Sequence, residues 1–264
     1  MNALVVASTI PKPRLLKSTR IKWESKHKTP ENTIIQKDAG KNALISLIST
    51  IISSVVNAPL GAIKLRALSG DLNLKHITVE KLYSGYWTNV FRFGPRHALE
   101  HTAYALLKER IGHSFAGSVA TCFSTIVCHP FDRYHIRRTL GKTPCMNMHY
   151  ASLGLGPAVL QSGLNGLLWY TLFENLKTKV QSSYMLCAIC SIACNICTYP
   201  IDKIKTRCSA FNVTGNQALA KIINEPGGPY ASFGIALLTS VPAHAMSHGT
   251  YTTLQYWLRD IVIM

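Results

Sequence analysis

The sequence predicts an all-α membrane protein of six transmembrane helices, built from three copies of a two-helix repeat with a proline inside each odd-numbered helix. Three observations lead there. Of 264 residues, 47% are apolar and only 15% are charged, against roughly 25% charged in soluble domains. The apolar residues gather in long runs, at 43–58, 115–127 and 183–198, interrupted by Ser, Thr, Asn, Gly and Cys as on helix faces that pack together or line a cavity. An eight-residue segment that opens on proline recurs three times.

The recurring segments are Pro59-Leu60-Gly61-Ala62-Ile63-Lys64-Leu65-Arg66, Pro130-Phe131-Asp132-Arg133-Tyr134-His135-Ile136-Arg137 and Pro200-Ile201-Asp202-Lys203-Ile204-Lys205-Thr206-Arg207, with prolines 71 and 70 residues apart. Each ends on a basic residue seven positions after its proline. A second marker follows each: Leu82-Tyr83-Ser84-Gly85, Tyr150-Ala151-Ser152-Leu153-Gly154 and Tyr230-Ala231-Ser232-Phe233-Gly234. Together they delimit spans at about 43–65, 86–109, 113–136, 154–177, 184–206 and 234–259, each long enough to cross a hydrocarbon core of about 30 Å. Proline frees a backbone carbonyl and bends the helix, so Pro59, Pro130 and Pro200 are expected to kink the odd helices. Positions three and six of the segment lie three apart on a helix, which turns an acid and a base the same way. Such charges are tolerable in a membrane when they face the bundle interior and pair.

The net charge is +16. The basic residues collect at the ends of the apolar stretches, at Lys64 and Arg66, Lys108 and Arg110, Arg137 and Arg138, Lys177 and Lys179, and Lys205 and Arg207. That placement fits anionic lipid, with cardiolipin a plausible bound species, and a basic cavity fits an anionic solute. Nucleic acid is excluded as a partner: the bases form no dense stripe, and zinc-finger, P-loop and basic-zipper patterns are absent. No metal or other cofactor is expected. Cys187, Cys190, Cys194 and Cys197 follow steps of three, four and three, which puts them on one helix face but spreads them over about 15 Å, too far for one ion. They read as small residues along a packed seam. No catalytic motif or EF-hand loop occurs. Residues 1–40 form a basic N-terminal extension, with seven Lys and Arg against Glu24 between Lys12 and Lys28; it is either a targeting element or a retained arm on lipid or a partner.

The three P-x-[D/E]-x-x-[K/R]-x-[K/R] segments and the markers after them resemble the mitochondrial carrier family over about residues 43–260. Within the first repeat, Gly85-Tyr86-Trp87-Thr88-Asn89-Val90-Phe91-Arg92-Phe93-Gly94-Pro95 is similar to the corresponding helix of ADP/ATP carriers. The resemblance implies a three-fold pseudosymmetric carrier bundle in the mitochondrial inner membrane, with repeats at 41–110, 111–180 and 181–264 and both termini on the intermembrane-space side. It also implies a central cavity that opens alternately, closed towards the matrix by a salt-bridge ring of the proline segments and towards the outside by a second ring. The matrix ring would comprise Lys64, Asp132, His135, Asp202 and Lys205, pairing Asp132 with Lys205 and Asp202 with Lys64. Its third link falls between Gly61 and His135, where both charges are missing, so no acid is left alone. The outer ring survives only in part: Phe173-Glu174-Asn175-Leu176-Lys177 is complete, Tyr104 to Lys108 lacks the acid, and no counterpart stands near Tyr251. The remnant is therefore Lys108, Glu174 and Lys177.

The intervals from motif proline to marker glycine are 26, 24 and 34 residues, short for a family that places a surface helix there. Only 217–225 offers such a helix. Arg92 is the first candidate to contact a solute, since an arginine at mid-span needs water, an anion or an acid such as Glu100. Arg96, one turn on, and Asn89 join it, with Gln161, Asn165, His244, Ser247 and His248 as further polar candidates. The Arg-Arg-Arg-Met-Met-Met signature of ADP/ATP carriers is replaced by Lys205-Thr206-Arg207-Cys208-Ser209-Ala210. The accumulated losses favour an accessory subunit of a larger inner-membrane assembly, of respiratory type, contacting its partners through residues 1–40 and the shortened matrix side. The alternative is an active antiporter of a small anionic metabolite or nucleotide.

Overall fold

The computed structural model describes residues 31–71, 78–143 and 152–263, with backbone alone at 31–42, 256 and 258–263. Most of the basic extension, and the segment 144–151 of the shortened second interval, lie outside the described residues. The helices are α1 (Glu31–Ser69), α2 (Val79–Tyr83), α3 (Tyr86–Ile111), α4 (His113–Thr139), α5 (Leu155–Leu176), α6 (Ser183–Phe211), α7 (Gly215–Ile223) and α8 (Phe233–Ile263), with a 3-10 turn at Gly228–Tyr230. The described residues contain no strand. The boundary expected at residue 40 falls inside α1, and the compact unit begins at Asn32.

The odd members of the six long helices are inside-out. On α1, Ser46, Ser49, Thr50, Ser53 and Asn57 are buried, whereas Leu44, Ile48, Ile51 and Val55 are exposed. Both sets follow the three- and four-residue steps of one helix face. α4 repeats the arrangement, burying Thr121, Ser124 and Thr125 and exposing Phe115, Val119, Phe123 and Ile126; so does α6, with Ser191, Asn195 and Thr198 inside and Met185, Ile189, Ile192 and Ile196 outside. In water this would leave large apolar patches uncovered, whereas hydrocarbon solvates them. Two helices, Ala43–Ser69 within α1 and Ser183–Phe211, are long and apolar enough to span a membrane by length and hydropathy. Among the described residues the other long helices fall short of the same measure, because their inner faces carry His, Arg, Gln, Asn and Gly.

α3 packs on α4, α4 on α5, α5 on α6 and α6 on α8. α1 closes the ring: Asn89 of α3 donates to Ser54 at 3.3 Å, and Asn57 donates to Ser247 of α8 at 2.6 Å. The turn from α3 into α4 is one residue, Gly112, at φ 78°, a conformation that costs glycine little. Where α4 meets α5 the backbones nearly touch, since a Cβ on Gly166 would lie 2.7 Å from the Gly117 carbonyl oxygen and 2.3 Å from Thr121 Oγ1. Thr121 in turn donates to the Ser162 carbonyl at 2.8 Å.

Pro59, Pro130 and Pro200 lie inside continuous helices. Each leaves the carbonyl four residues earlier without its helical donor. Tyr83 donates to the Val55 carbonyl at 3.3 Å, and Tyr230 to the Ile196 carbonyl at 3.3 Å. The marker tyrosines therefore supply what the motif prolines remove; Tyr150 lies outside the described residues.

The motif's last arginines tie the odd helices end to end. Arg66 of α1 donates to the Thr139 carbonyl of α4 at 3.4 Å, Arg137 of α4 to the Ala210 carbonyl of α6 at 3.3 Å, and Arg207 of α6 to the Leu68 carbonyl of α1 at 3.2 Å. These are final-turn carbonyls that have no intrahelical partner. Asn212 ends α6 in the left-handed conformation and accepts from Arg137 at 2.8 Å as well as from Arg133.

The surface helix expected at 217–225 runs over Gly215–Ile223, two residues earlier, because Thr214 and Gln217 form a capping box. After it, Glu225 binds Lys203 at 3.0 Å and also Arg207. Burial opposes ionisation of Glu225, but hydrogen bonds and charge from Lys203 and Arg207 outweigh it and hold the carboxyl below its ordinary value of 4.5.

Two outcomes are expected. Gly166→Leu forces α4 and α5 apart and lowers stability by about 1–3 kcal/mol, measured by thermal unfolding in detergent; an unchanged midpoint would contradict the close contact. The Glu225 contribution is complete above the unfolded carboxyl value and is lost as pH falls through the lower folded one. The midpoint should therefore drop less steeply in Glu225→Gln than in the wild type between about pH 6 and about pH 3. Parallel profiles would remove the linkage.

Candidate functional site

A cavity of about 210 Å³ lies at the centre of the ring, lined by residues of all six long helices. Asn89, Arg92, Arg96, Gln161, Asn165, His244, Ser247 and His248 all border it. Asn89, Arg92 and Arg96 share one face of α3 because they are spaced by three and four. Arg92 donates to Asn89 Oδ1 at 3.3 Å and lies against the Phe93 ring, 3.9 Å from its centroid.

Asp132 is the hub. Two residues beyond Pro130 and 1% exposed, it receives Arg96 at 3.1 Å and lies 3.6 Å from Arg92 Nε. Arg96 also donates to Thr125 at 3.0 Å and to Ser162 at 3.2 Å, so one guanidinium joins α3, α4 and α5. The arrangement replaces the expected pairing of Asp132 with Lys205, which instead donates to Gln161 at 3.1 Å. A guanidinium offers five N–H groups in a plane and serves three acceptors at once, which an ammonium on the neighbouring helix does not match in direction. Arg96 accordingly ties three helices together in this conformation while it borders the cavity. Arg92 turns to Asp132, away from Glu100, whose partners are Tyr170 at 3.4 Å and His97 at 3.9 Å.

Of the motif ring, Lys64 and Asp202 meet at 2.7 Å. His135 stands in the defective link and shares a hydrogen bond with Thr88 at 2.9 Å, while nothing lies within 4 Å of where a Gly61 Cβ would be. The expected ring is thus reduced to one ion pair plus the Asp132 cluster. At the opposite end Glu174 pairs with Lys177, the residue that caps α5, and approaches His113 of α4 at 3.9 Å. Lys108 borders a second cavity there, of about 270 Å³, together with Glu174.

Cys187, Cys190 and Cys194 are buried against Trp169 and Tyr170, but Cys197 is exposed. Ten residues at about 100° each leave Cys197 about 80° off the line of Cys187, which a reading of single steps overlooks. His97 and His101 were absent from the sequence candidates although their four-residue spacing on α3 mirrors that of His244 and His248 on α8. All four are in ring contact.

Among the described residues the helices and cavity define a helical bundle with a polar interior behind apolar outer faces. Residues 177–261, about a third of the chain and spanning α6 to α8, match the family described as mitochondrial carrier protein. No curated protein matches the chain.

Neutralising the hub should expose its importance. Asp132→Asn leaves two buried guanidiniums without their anion and is expected to cost about 3–5 kcal/mol in thermal unfolding. Adding Arg96→Gln should restore part of that loss. Equal midpoints for the single and double variants would refute the pairing.

Proposed function

We propose that this chain is a solute carrier of the mitochondrial inner membrane, which moves a small anion through its central cavity by opening the two ends in turn. Members of the matched family are transporters of that membrane. In this reading the six long helices form a three-fold pseudosymmetric bundle, and their even number puts both termini on the same side, expected to be the intermembrane space.

The observation that carries the proposal is the contact between Arg92 and Asp132. It is the loosest in the charged cluster, at 3.6 Å, and neither Arg92 Nε nor Asp132 Oδ1 has a hydrogen-bond partner among the described residues. Both atoms are buried. An anion entering the cavity would give Arg92 a better partner while Arg96 kept Asp132, so exchanging one for the other requires no buried charge to stand alone. The cavity's charged lining, Lys64, Arg92, Arg96 and Lys205 against Glu100 and Asp202, favours an anionic guest even with Asp132 counted beside it.

A second reading, an accessory subunit of a larger membrane assembly, is favoured by the incomplete latches. Only Lys64 with Asp202 survives of the motif ring's links, and Glu174 pairs with Lys177 three residues on.

Reconstitution into liposomes loaded with phosphate, nucleotides or di- and tricarboxylates separates the two. Saturable exchange of one of these is expected, with Arg92→Ala lowering it by a factor of about 100 and Arg92→Lys by less. Absence of saturable exchange for every class, together with co-purification in a large complex after mild extraction, would replace the carrier reading by the accessory one.

A further inference from the structure

The central cavity and the second cavity are separated by a layer of aromatic rings in which histidine predominates. On α3, His97 and His101 have ring centroids 6.1 Å apart; on α8, His244 and His248 are 6.4 Å apart; His248 lies 5.7 Å from His97 and 6.5 Å from His101. The rings are covered on both sides. Trp169 lies 4.5 Å from His248, and Tyr251 stacks on His101 at 4.1 Å with the planes 2° apart. Trp169, Tyr170 and His248 line both cavities, so anything passing between them must displace this layer.

We propose that the four histidines form a proton-binding site that governs passage between the two cavities, closed while the imidazoles are neutral and packed together and opened when they take up protons. The proposal rests on the carrier reading above. Neutral imidazoles pack on other rings face to face, as His101 does on Tyr251, or edge to face, as His248 does on His97 and His101. Protonated ones repel each other across the 5.7 Å between α3 and α8, and that repulsion acts along the direction that parts the two helices.

The surrounding charges leave little to offset it. On α3, Glu100 is 3.9 Å from His97, but Arg96 stands on the cavity side of the same histidine. His244 faces Lys64 of α1 and Asp202 of α6, which pair with each other, and it shares a hydrogen bond with Ser191 of α6 at 2.9 Å. α5 contributes Trp169, which has no charge, and Tyr170, whose hydroxyl is given to Glu100. On the far side Tyr104 is bonded to His113 of α4 at 2.7 Å, and the nearest α4 carboxylate, Asp132, is held by Arg96. Glu100 is the one carboxylate within 4 Å of these histidines among the described residues, while Asp202 lies near His244 and Glu174, with Lys108, borders the second cavity that His101 and His248 line. A first proton has Glu100 as partner; at His244 the Ser240 backbone and Asp202 favour a charge, which Lys64 opposes.

Trp169 reports on the layer directly. In full-length protein carrying Trp23→Phe, Trp87→Phe and Trp257→Phe, reconstituted in liposomes, its fluorescence is quenched with acrylamide from about pH 8 down to about pH 4. The quenching constant is expected to rise several-fold as the pH falls. Replacing all four histidines with glutamine should flatten the profile. A constant that stays level in the protein retaining its histidines, or a rise that survives their replacement, overturns the proposal; the first comparison decides it even if the fourfold variant fails to fold. Exchange measured on the same liposomes tests the reading beneath it separately. A rising constant without exchange keeps the proton site and removes the carrier, whereas exchange with a level constant removes the proton site and keeps the carrier.

Discussion

Three helices of this ring end with their last carbonyls turned inward, and an arginine from another odd helix meets each of them. α1 gives Arg66 to α4, α4 gives Arg137 to α6, and α6 gives Arg207 to α1. The cycle has no free end, so each helix terminus is fixed by one neighbour and fixes another. It follows from a constraint on any helix bundle with apolar outer faces: a polar group that cannot reach water must find protein. The same constraint explains why serine, threonine and asparagine turn inward on α1, α4 and α6, and why Tyr83 and Tyr230 reach back to the carbonyls opened by Pro59 and Pro200.

Within this frame the buried acids choose partners by the number of hydrogen bonds they complete. Asp202 faces one lysine across the motif ring and binds it. Asp132 faces a lysine too, but α3 presents two guanidiniums to the same carboxylate, and one of them also satisfies Thr125 and Ser162. The cluster that results has one tight arginine and one loose one. That inequality separates a structural tie from a side chain free to change partner, and the motif alone does not contain it.

Much of the architecture was legible because its signals are local. A marker glycine precedes α3, Gly112 separates α3 from α4, and the three proline segments stand at matching depths on α1, α4 and α6; the span expected at 86–109 is α3 within two residues. The cavity lining was legible for the same reason, since polar residues at three- and four-residue steps share a face whatever the tertiary structure. Pairing between helices was not. Whether Asp132 meets Lys205 or Arg96 depends on how α3 sits against α4, and nothing in the spacing of one helix records it. His97 and His101 did carry a local signal, a four-residue step matching that of His244 and His248. It becomes meaningful only once α3 and α8 are seen to face each other across the cavity.

The two ends of the central cavity are consequently closed by different chemistry. At the motif end, charges and arginine-to-carbonyl bonds hold the helices, and opening requires breaking contacts that lose strength only when another charge replaces them. At the other end, rings close the path, with Tyr251 on His101 and Trp169 on His248, and the ion pairs expected there have largely gone. A layer of packed rings gives up dispersion and area rather than Coulomb energy when it parts, so that end is closed without a ring of ion pairs. Under the proposed proton site, the closure at that end takes its strength from the charge carried by its histidines.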